Sequence, residues 1–599
     1  MKVSRKWLQK YFNEELPEGQ VFADTFTFHA FEVEEQEGDL LDLKVLPDRA
    51  GYALSHRGIA YELSATLGIP LKYDPLREPL TPLKETDKLV IETDPAYVVR
   101  HMGAIIRGVK VGPSPEWLKD ALATVGQRSI NNVVDILNYV LLDIGQPSGV
   151  FDLGKIQLEN GVTKISIRRA KTGEKIKVLT GETYELSEDM FVFTDAVGGT
   201  LLDIAGIKGG LDSGVTESTT DIFLSVGNYD GTLIRRASQK LKLFTDASQR
   251  YQNRPSPQLC AYGMRDILAL LKEIAGGEFI GAVDFYPSPK QLASVTTTRS
   301  RINGLLGSDF SQEEILNVFK RLNLITKVDG EEFTVTPPFE RTDLTIPEDL
   351  AEETGRILGY DRVAPKELPA PSVSPDQARF CGIERMKDEL VEQGFIEVST
   401  QSFAKKGDIL LANPLDKSRP YLRTSLEEGL TDALKKAKEY APLILPPNRK
   451  PKLFEVGSVF PTAGEYVELC MTEVAWEGTP THDNLNVAKL EEYGKEYEPK
   501  RYDLSPFKPF SQYPYIVRDV AIWVPNATEP VEVLNQIKQA AGELAHKVTL
   551  FDRFEKVGKT SLAYRIIFQS FDRTLTEVEV NQIMAKIGAI LVDKGFEIR

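Results

Sequence analysis

The stretch PFERTDLTIPEDLAEETGRILGY, residues 338–360, places four carboxylates close together: Asp343, Asp349, Glu352 and Glu353. Proline suits the first turn of a helix, where its missing N–H costs nothing, so Pro347 starts one here. Asp349, Glu352 and Glu353 then fall at i, i+3 and i+4 on a single face. Leu350, Thr354, Ile357 and Leu358 form the opposite, buried stripe. Asp343, on the preceding extended run, can close over the acidic face and complete a set of oxygens for a hard ion such as Mg2+. A second reading is equally physical. Acids in a first turn oppose the helix dipole, and Arg356 at i+4 from Glu352 makes the same face a solvated, ion-paired one. Spacing alone leaves both open.

Other chemistries are poorly supplied. Cys260, Cys381 and Cys470 are far apart and odd in number, which fits buried core thiols rather than a disulfide framework or a thiolate zinc site. His29, His56, His101, His482 and His546 are scattered without an H-E-x-x-H spacing, so zinc and histidine acid–base chemistry are not expected. Any bound metal should be oxygen-ligated. No G-x-x-x-x-G-K-[ST] run occurs, which excludes a P-loop. Glycines instead concentrate in DAVGGTLLDIAGIKGGLDSGV, residues 195–215, where tight turns or close backbone approach are implied.

The elements that must position these groups divide into modules. Residues 1–75 hold two helical patterns, SRKWLQKYF and SHRGIAYELSATLGI, the second opened by Ser55 and closed by Gly68 and Pro70, with a short strand and turn between. Residues 88–290 alternate apolar segments (HMGAIIRGVKV, TKISIRRA, DIFLSV) around one helix, INNVVDILNYVLLDIG, and read as a mainly β or α+β domain. Residues 295–365 contain SRINGLLG, a helix after N-cap Ser311, a strand pair around EEFTVTPP and the acidic helix. The Pro-rich segment 364–377 marks a boundary. Residues 378–478 alternate helices and strands, and residues 508–599 read β-α-β-β-α-β, a split βαβ pattern.

At 599 residues the chain is long enough for four to six domains, each with its own core. With 42% hydrophobic and 27% charged residues it has an ordinary soluble composition. No apolar run is long enough to span a bilayer. The opening residues lack an apolar h-region, so the cytoplasm is the expected compartment. A net charge of −16 argues against coating nucleic acid by a global field. Residues 508–599, with 12 Lys and Arg against 11 Asp and Glu, carry a net +1 and can approach phosphate without that penalty.

The order of several segments resembles a known family. MKVSRKWLQKYF, FEVEE, LPDRAGYALSHRGIAYELSATLG, INNVVDILNYVLLDIGQP, AGIKGGLDSGVTESTT, IRRASQKLKLFTDASQRY, RTDLTIPEDLAEETGRILGYD, NPLDKSRPYLRTSLEEGL, KLFEVGSVF, YPYIVRDVAI and DRTLTEVEV are similar, in sequence order, to motifs of the bacterial phenylalanyl-tRNA synthetase beta subunit. The inserted OB-like tRNA-binding domain that this family carries near its N-terminus has no counterpart here. The resemblance implies a multidomain α+β protein. Its parts would be helical and winged-helix-like modules, an editing-like domain at 88–290, a Mg-binding domain at 295–365, a degenerate class II synthetase core of antiparallel sheet and helices at 378–478, and a ferredoxin-like anticodon-binding domain at 508–599. It further implies a class II aminoacyl-tRNA synthetase complex of two alpha and two beta chains, which joins phenylalanine to tRNA(Phe) with ATP and Mg2+ in the cytoplasm. The alpha subunit would perform the activation.

Residue by residue, the resemblance turns Asp343, Asp349, Glu352 and Glu353 into a Mg2+ site at the contact with the alpha subunit. Gly209, Gly210, Thr245 and Ala247 match positions of the editing pocket, with fold maintenance as their plain alternative. Two positions depart from the family: Gly149 replaces a histidine and Ser225 replaces a glutamate. Hydrolysis of a mischarged tyrosyl ester needs a group that orients water and a polar anchor for the tyrosine hydroxyl, so editing is expected to be weak or lost. Arg423 and Glu455 are expected to be structural, because no Gly-rich terminal motif ending in an ATP-holding Arg occurs before residue 508. Arg518, Lys547, Arg553, Lys559, Arg565 and Arg573 are candidate tRNA contacts, with solvated surface charge as the plain alternative. Two rival functions are a free-standing hydrolase of mischarged tRNA and a non-enzymatic RNA-binding paralogue.

Overall fold

A computed structural model describes residues 1–291, 293–369, 377–447, 449–472, 481–484, 497–498 and 509–599. Half of the Pro-rich segment, the end of the 378–478 module and the start of the 508–599 module lie outside the described residues. The chain divides into two units, Met1–Leu368 and Pro369–Arg599.

In the first unit the helix signals act as written. Ser55 accepts a hydrogen bond from the Gly58 N–H, and Gly68, left-handed at φ 71°, ends the helix His56–Leu67. Asn131 caps Asn132–Ile144 by accepting from the Val134 N–H. The pattern SRKWLQKYF is a single α-turn, Arg5–Leu8, continued by a 3-10 turn, Gln9–Tyr11. Between these helices the chain is richer than one strand and a turn. A further helix, Gly19–Thr27, precedes a hairpin, Glu32–Glu37 and Leu40–Lys44, whose second strand pairs with Lys2–Ser4.

Trp7 ties this module to the next domain. Its ring stacks on His56 at 4.1 Å, and its indole N–H donates to Asp143 on Asn132–Ile144 at 2.8 Å. The Tyr11 hydroxyl donates to the same Asp143 Oδ1 at 2.8 Å. One apolar core runs from Trp7, Phe22, Ile59 and Tyr61 to Phe319, Leu350 and Ile357, so the N-terminal module and the acidic helix are packed as one body.

The middle domain is two facing sheets. Four antiparallel strands lie in the order Glu278–Phe285, Val98–Arg107, Asp221–Tyr229, Ser148–Asp152. The second sheet runs Lys208–Gly209, Leu201–Ile204, Phe191–Asp195, Val162–Arg169, Leu89–Glu92, the last pair parallel. Phe151, Phe193, Phe223, Tyr229 and Tyr251 fill the space between. The unit closes with a three-stranded antiparallel sheet, Val295–Thr298, Glu332–Thr336 and Ile325–Asp329, and the helices Arg299–Leu306, Gln312–Arg321 and Pro347–Leu358.

In the second unit the sheet Ile396–Glu397, Leu453–Val459, Tyr466–Met471, Thr481–Asn484 is mixed, because Ile396–Glu397 pairs parallel to Leu453–Val459. A purely antiparallel sheet was the expectation. The C-terminal domain has the order Ala545–Lys556, Lys559–Phe568, Ile516–Pro525, Glu597–Ile598, antiparallel throughout. Helices Pro530–Ala541 and Glu577–Asp593 pack on it, which completes the split βαβ arrangement.

Candidate functional site

The acidic helix begins at Pro347, and the first of its candidate ligands is already engaged. Asp349 Oδ2 accepts from the backbone N–H groups of Thr345 (2.6 Å) and Ile346 (2.9 Å). It thereby serves as a cap for donors that a helix start leaves unpaired. Glu353, one turn on, faces inward and is 2% exposed. Arg356 grips it through Nε to Oε1 at 2.9 Å and Nη2 to Oε2 at 2.5 Å. Arg341, itself buried, reaches the same carboxylate at 3.2 Å and clasps Asp343 through Nε at 3.0 Å and Nη2 at 2.6 Å. Arg49 approaches Glu353 at 3.4 Å and pairs with Glu352 at 2.5 Å.

The helix His56–Leu67 supplies the remaining acid. Glu62, wholly buried, receives Arg356 Nη1 at 2.6 Å and the Tyr52 hydroxyl at 2.7 Å. The Arg341 guanidinium lies over the Tyr52 ring at 4.6 Å. Three arginines thus meet four carboxylates: Glu62, Asp343, Glu352 and Glu353. Burial alone would push the Glu353 carboxyl up, but Arg341, Arg356 and Arg49 hold it far below the usual carboxylate range.

Two sequence expectations change here. The face is not a solvated one, since Glu353 and Arg356 are buried, and Arg356 pairs with Glu353 and Glu62 rather than with Glu352. Nor do the four carboxylates converge as ligands. Among the described residues no group of three or more His, Cys, Asp or Glu side chains is arranged to hold a metal ion. Mg2+ asks for oxygens at about 2.0–2.1 Å in octahedral array. Glu353 and Asp343 offer theirs to guanidinium groups and Asp349 to backbone N–H groups, so the residues do not fit the ion as placed.

In the two-sheet domain, Gly149 lies opposite Ser225 across antiparallel strands. A Cβ on Gly149 would meet the Phe151 ring at 3.3 Å and stand 3.9 Å from Asp203 Oδ2. The Ser225 hydroxyl is buried and bonded to His101 Nε2 at 2.9 Å. Gly210 serves close approach, for a Cβ there would sit 2.8 Å from the Leu202 carbonyl oxygen. Thr245 caps the helix Asp246–Gln252 and donates to the Ile207 carbonyl at 2.9 Å. Ala247 packs on the core between the sheets, and Gly209 faces Leu179.

Sequence reasoning missed the buried polar groups beside these positions. Burial pushes the Asp203 carboxyl up to about 8 and the His101 imidazole down to about 3, so both are neutral at pH 7. Asp203 Oδ1, His101 Nδ1 and Ser148 Oγ have no partner among the described residues. The one available signal was the placement of Asp203 in LLDIAG, a polar residue inside an apolar strand.

In the second unit Arg423 is buried and donates to Glu455 (2.8 Å) and to the Ser458 carbonyl (3.0 Å), a buried ion pair. The six candidate RNA contacts also have partners. Arg565 is bidentate to Asp519 and Arg573 to Glu579, while Arg553 pairs with Glu555 and Lys559 with Glu597. Arg518 lies near Asn581 and Glu577. Lys547 is spent on the carbonyls of Leu443 and Leu445, at the C-terminal end of the helix Glu427–Ile444, where a cation opposes the dipole.

Three families match separate parts of the chain: the B3/4 domain at residues 98–276, the tRNA synthetase B5 domain at 295–360 and the ferredoxin-fold anticodon binding domain at 511–599. The acidic helix lies in the second of these. The phenylalanine–tRNA ligase beta subunit of Bacillus thuringiensis subsp. konkukian is 30% identical over 671 residues, an alignment covering 95% of this chain and 81% of the relative. That of Bacillus cereus is 29% identical with the same coverage. That of Moorella thermoacetica is 28% identical over 652 residues, covering 93% and 79%.

Proposed function

The chain belongs to the phenylalanine–tRNA ligase beta-subunit family, and from that premise we propose that it acts as the non-catalytic beta subunit of an ATP-dependent ligase that attaches phenylalanine to its tRNA. The observation that carries this is the ordered set of B3/4, B5 and anticodon-binding domains within a relative matched over 95% of the chain. The complex is an alpha2-beta2 tetramer in the cytoplasm, in which the alpha subunit activates phenylalanine with ATP and Mg2+. No helix among the described residues is long and apolar enough to cross a membrane.

Residues 378–478 serve as a class II-like scaffold without an active site. The buried Arg423–Glu455 pair supports this, because an arginine spent on a protein carboxylate, two backbone carbonyls and a hydroxyl is not free for a nucleotide phosphate. Residues 508–599 meet the anticodon end of the tRNA. The exposed Arg553, Lys559 and Arg573 are held by surface pairs, which are weak and exchange readily for phosphate.

The B3/4 domain acts as a scaffold and does not edit. Gly149 has no side chain to orient a water, and the Ser225 hydroxyl is committed to a buried, neutral His101. The test of the whole reading is co-expression with the alpha chain of the same organism. A stable complex containing both chains in equal amounts is expected; an alpha chain that remains separate refutes the assignment.

A further inference from the structure

We infer that Asp343, Glu352 and Glu353 do not hold Mg2+ but form, with Glu62, Arg49, Arg341 and Arg356, a charge lock that fastens the helix Pro347–Leu358 to the N-terminal module. The resemblance implies Mg2+ at these carboxylates, and the chain has the acidic spacing for it, so the disagreement is specific to these side chains.

The geometry carries the inference in three steps. First, the best-buried carboxylate of the set, Glu353, is surrounded by guanidinium groups: Arg356 at 2.5 Å, Arg341 at 3.2 Å and Arg49 at 3.4 Å. A divalent cation placed against Glu353 would meet three positive charges in a region of low dielectric, where like charges repel most strongly. Second, the neighbouring acids are turned to other tasks. Asp343 lies in a fork–fork pair with Arg341, and Asp349 accepts from the Thr345 and Ile346 N–H groups. Only Glu352, 53% exposed on its side chain, has room for a hydrated ion, and one exposed carboxylate is a weak Mg2+ ligand.

Third, the arginines have a second anchor that a metal site does not need. Arg356 bridges from Glu353 to Glu62 at 2.6 Å, and Arg356 Nη1 also donates to the His29 carbonyl at 3.2 Å. His29 Nδ1 in turn lies 2.7 Å from the Arg356 carbonyl. Arg49 reaches from the N-terminal module to Glu352. Each bridge joins segments far apart in sequence, which is what a docking lock requires.

The test uses the full chain, alone and in complex with the alpha chain, after exhaustive dialysis against metal-free buffer. Mg2+ is measured by elemental analysis, and the thermal midpoint in EDTA is compared with that in millimolar MgCl2. No Mg2+ should be retained on the free chain, and its midpoint should be the same in both buffers. In the complex, Glu352→Gln should leave the metal content unchanged. Glu353→Gln should lower the midpoint by several degrees, equally with and without Mg2+. Stoichiometric Mg2+ on the free chain, or a loss of about one ion per beta chain from the complex on Glu352→Gln, overturns the lock. Should Glu353→Gln fail to fold, the wild-type and Glu352→Gln metal contents still decide.

Discussion

At the scale of the residue, a carboxylate's environment sets its role more than its spacing does. Asp349, Glu352 and Glu353 share the helical face that i, i+3, i+4 spacing requires, and that much was legible in the sequence. Their partners were not, because Glu62 lies 294 positions from the Arg356 it meets. Removing one member of a buried pair leaves an uncompensated charge and typically costs about 3–5 kcal/mol, whereas an exposed pair contributes at most about 1 kcal/mol. Glu353→Gln and Glu352→Gln should therefore differ by several-fold in their effect on stability, measured by denaturant unfolding of the full chain. Equal effects would contradict the burial argument. Asp203 gives a pH-dependent case. Burial raises its pKa from 3.8 to about 8, so between those values the folded chain holds a proton that the unfolded chain has released. Stability therefore falls as pH rises through that window, by at most about 1.4 kcal/mol per pH unit. Asp203→Asn should flatten the fall in thermal midpoint between about pH 6 and pH 8; a variant that declines as steeply as the parent would remove Asp203 from the explanation.

At the scale of the element, what could be read was what has local chemistry. Ser55 with Gly68 bounds one helix and Ser311 opens another, as their sequences announce, and Asn131 with Gly145 bounds a third by the same chemistry. The helix Gly19–Thr27 escaped notice because it starts at a glycine and no side chain caps it. Its stability comes from burying Phe22 and Phe26 in the shared core, a tertiary effect absent from the local pattern. Likewise Lys547 looked like any basic residue on a strand, and only the fold brings it to the end of the helix Glu427–Ile444. Gly58 tests how closely elements pack. A Cβ there would collide with the Tyr52 carbonyl oxygen and lie 2.9 Å from the Ala53 Cα, both backbone atoms that cannot swing aside. Gly58→Ala, which gains helix propensity, should nevertheless destabilise the chain by roughly 1–3 kcal/mol by overpacking. A neutral or raised thermal midpoint would show that this turn can yield.

At the scale of the whole molecule, the order of family segments pointed to the family, while composition allowed only a multidomain chain. Net charge of −16 on a tRNA-binding protein is reconciled by distribution, since residues 508–599 carry a net +1. The replacement of the histidine and glutamate that the resemblance implies for an editing pocket was also visible in sequence, as Gly149 and Ser225. What sequence could not give was the buried, neutral His101 that takes up the Ser225 hydroxyl. The assembled complex should therefore leave tyrosyl-tRNA intact on the timescale of charging, and rapid hydrolysis that depends on residues 98–276 would reverse that reading. The central claim, that this chain is the beta subunit of a phenylalanine-charging enzyme, is tested most directly by aminoacylation. Purified alpha chain, this chain, and their complex are each given ATP, phenylalanine and tRNA(Phe), and phenylalanyl-tRNA is measured. The account predicts charging by the complex and none by this chain alone. A complex that forms yet fails to charge the tRNA, or charging by this chain without alpha, would contradict it.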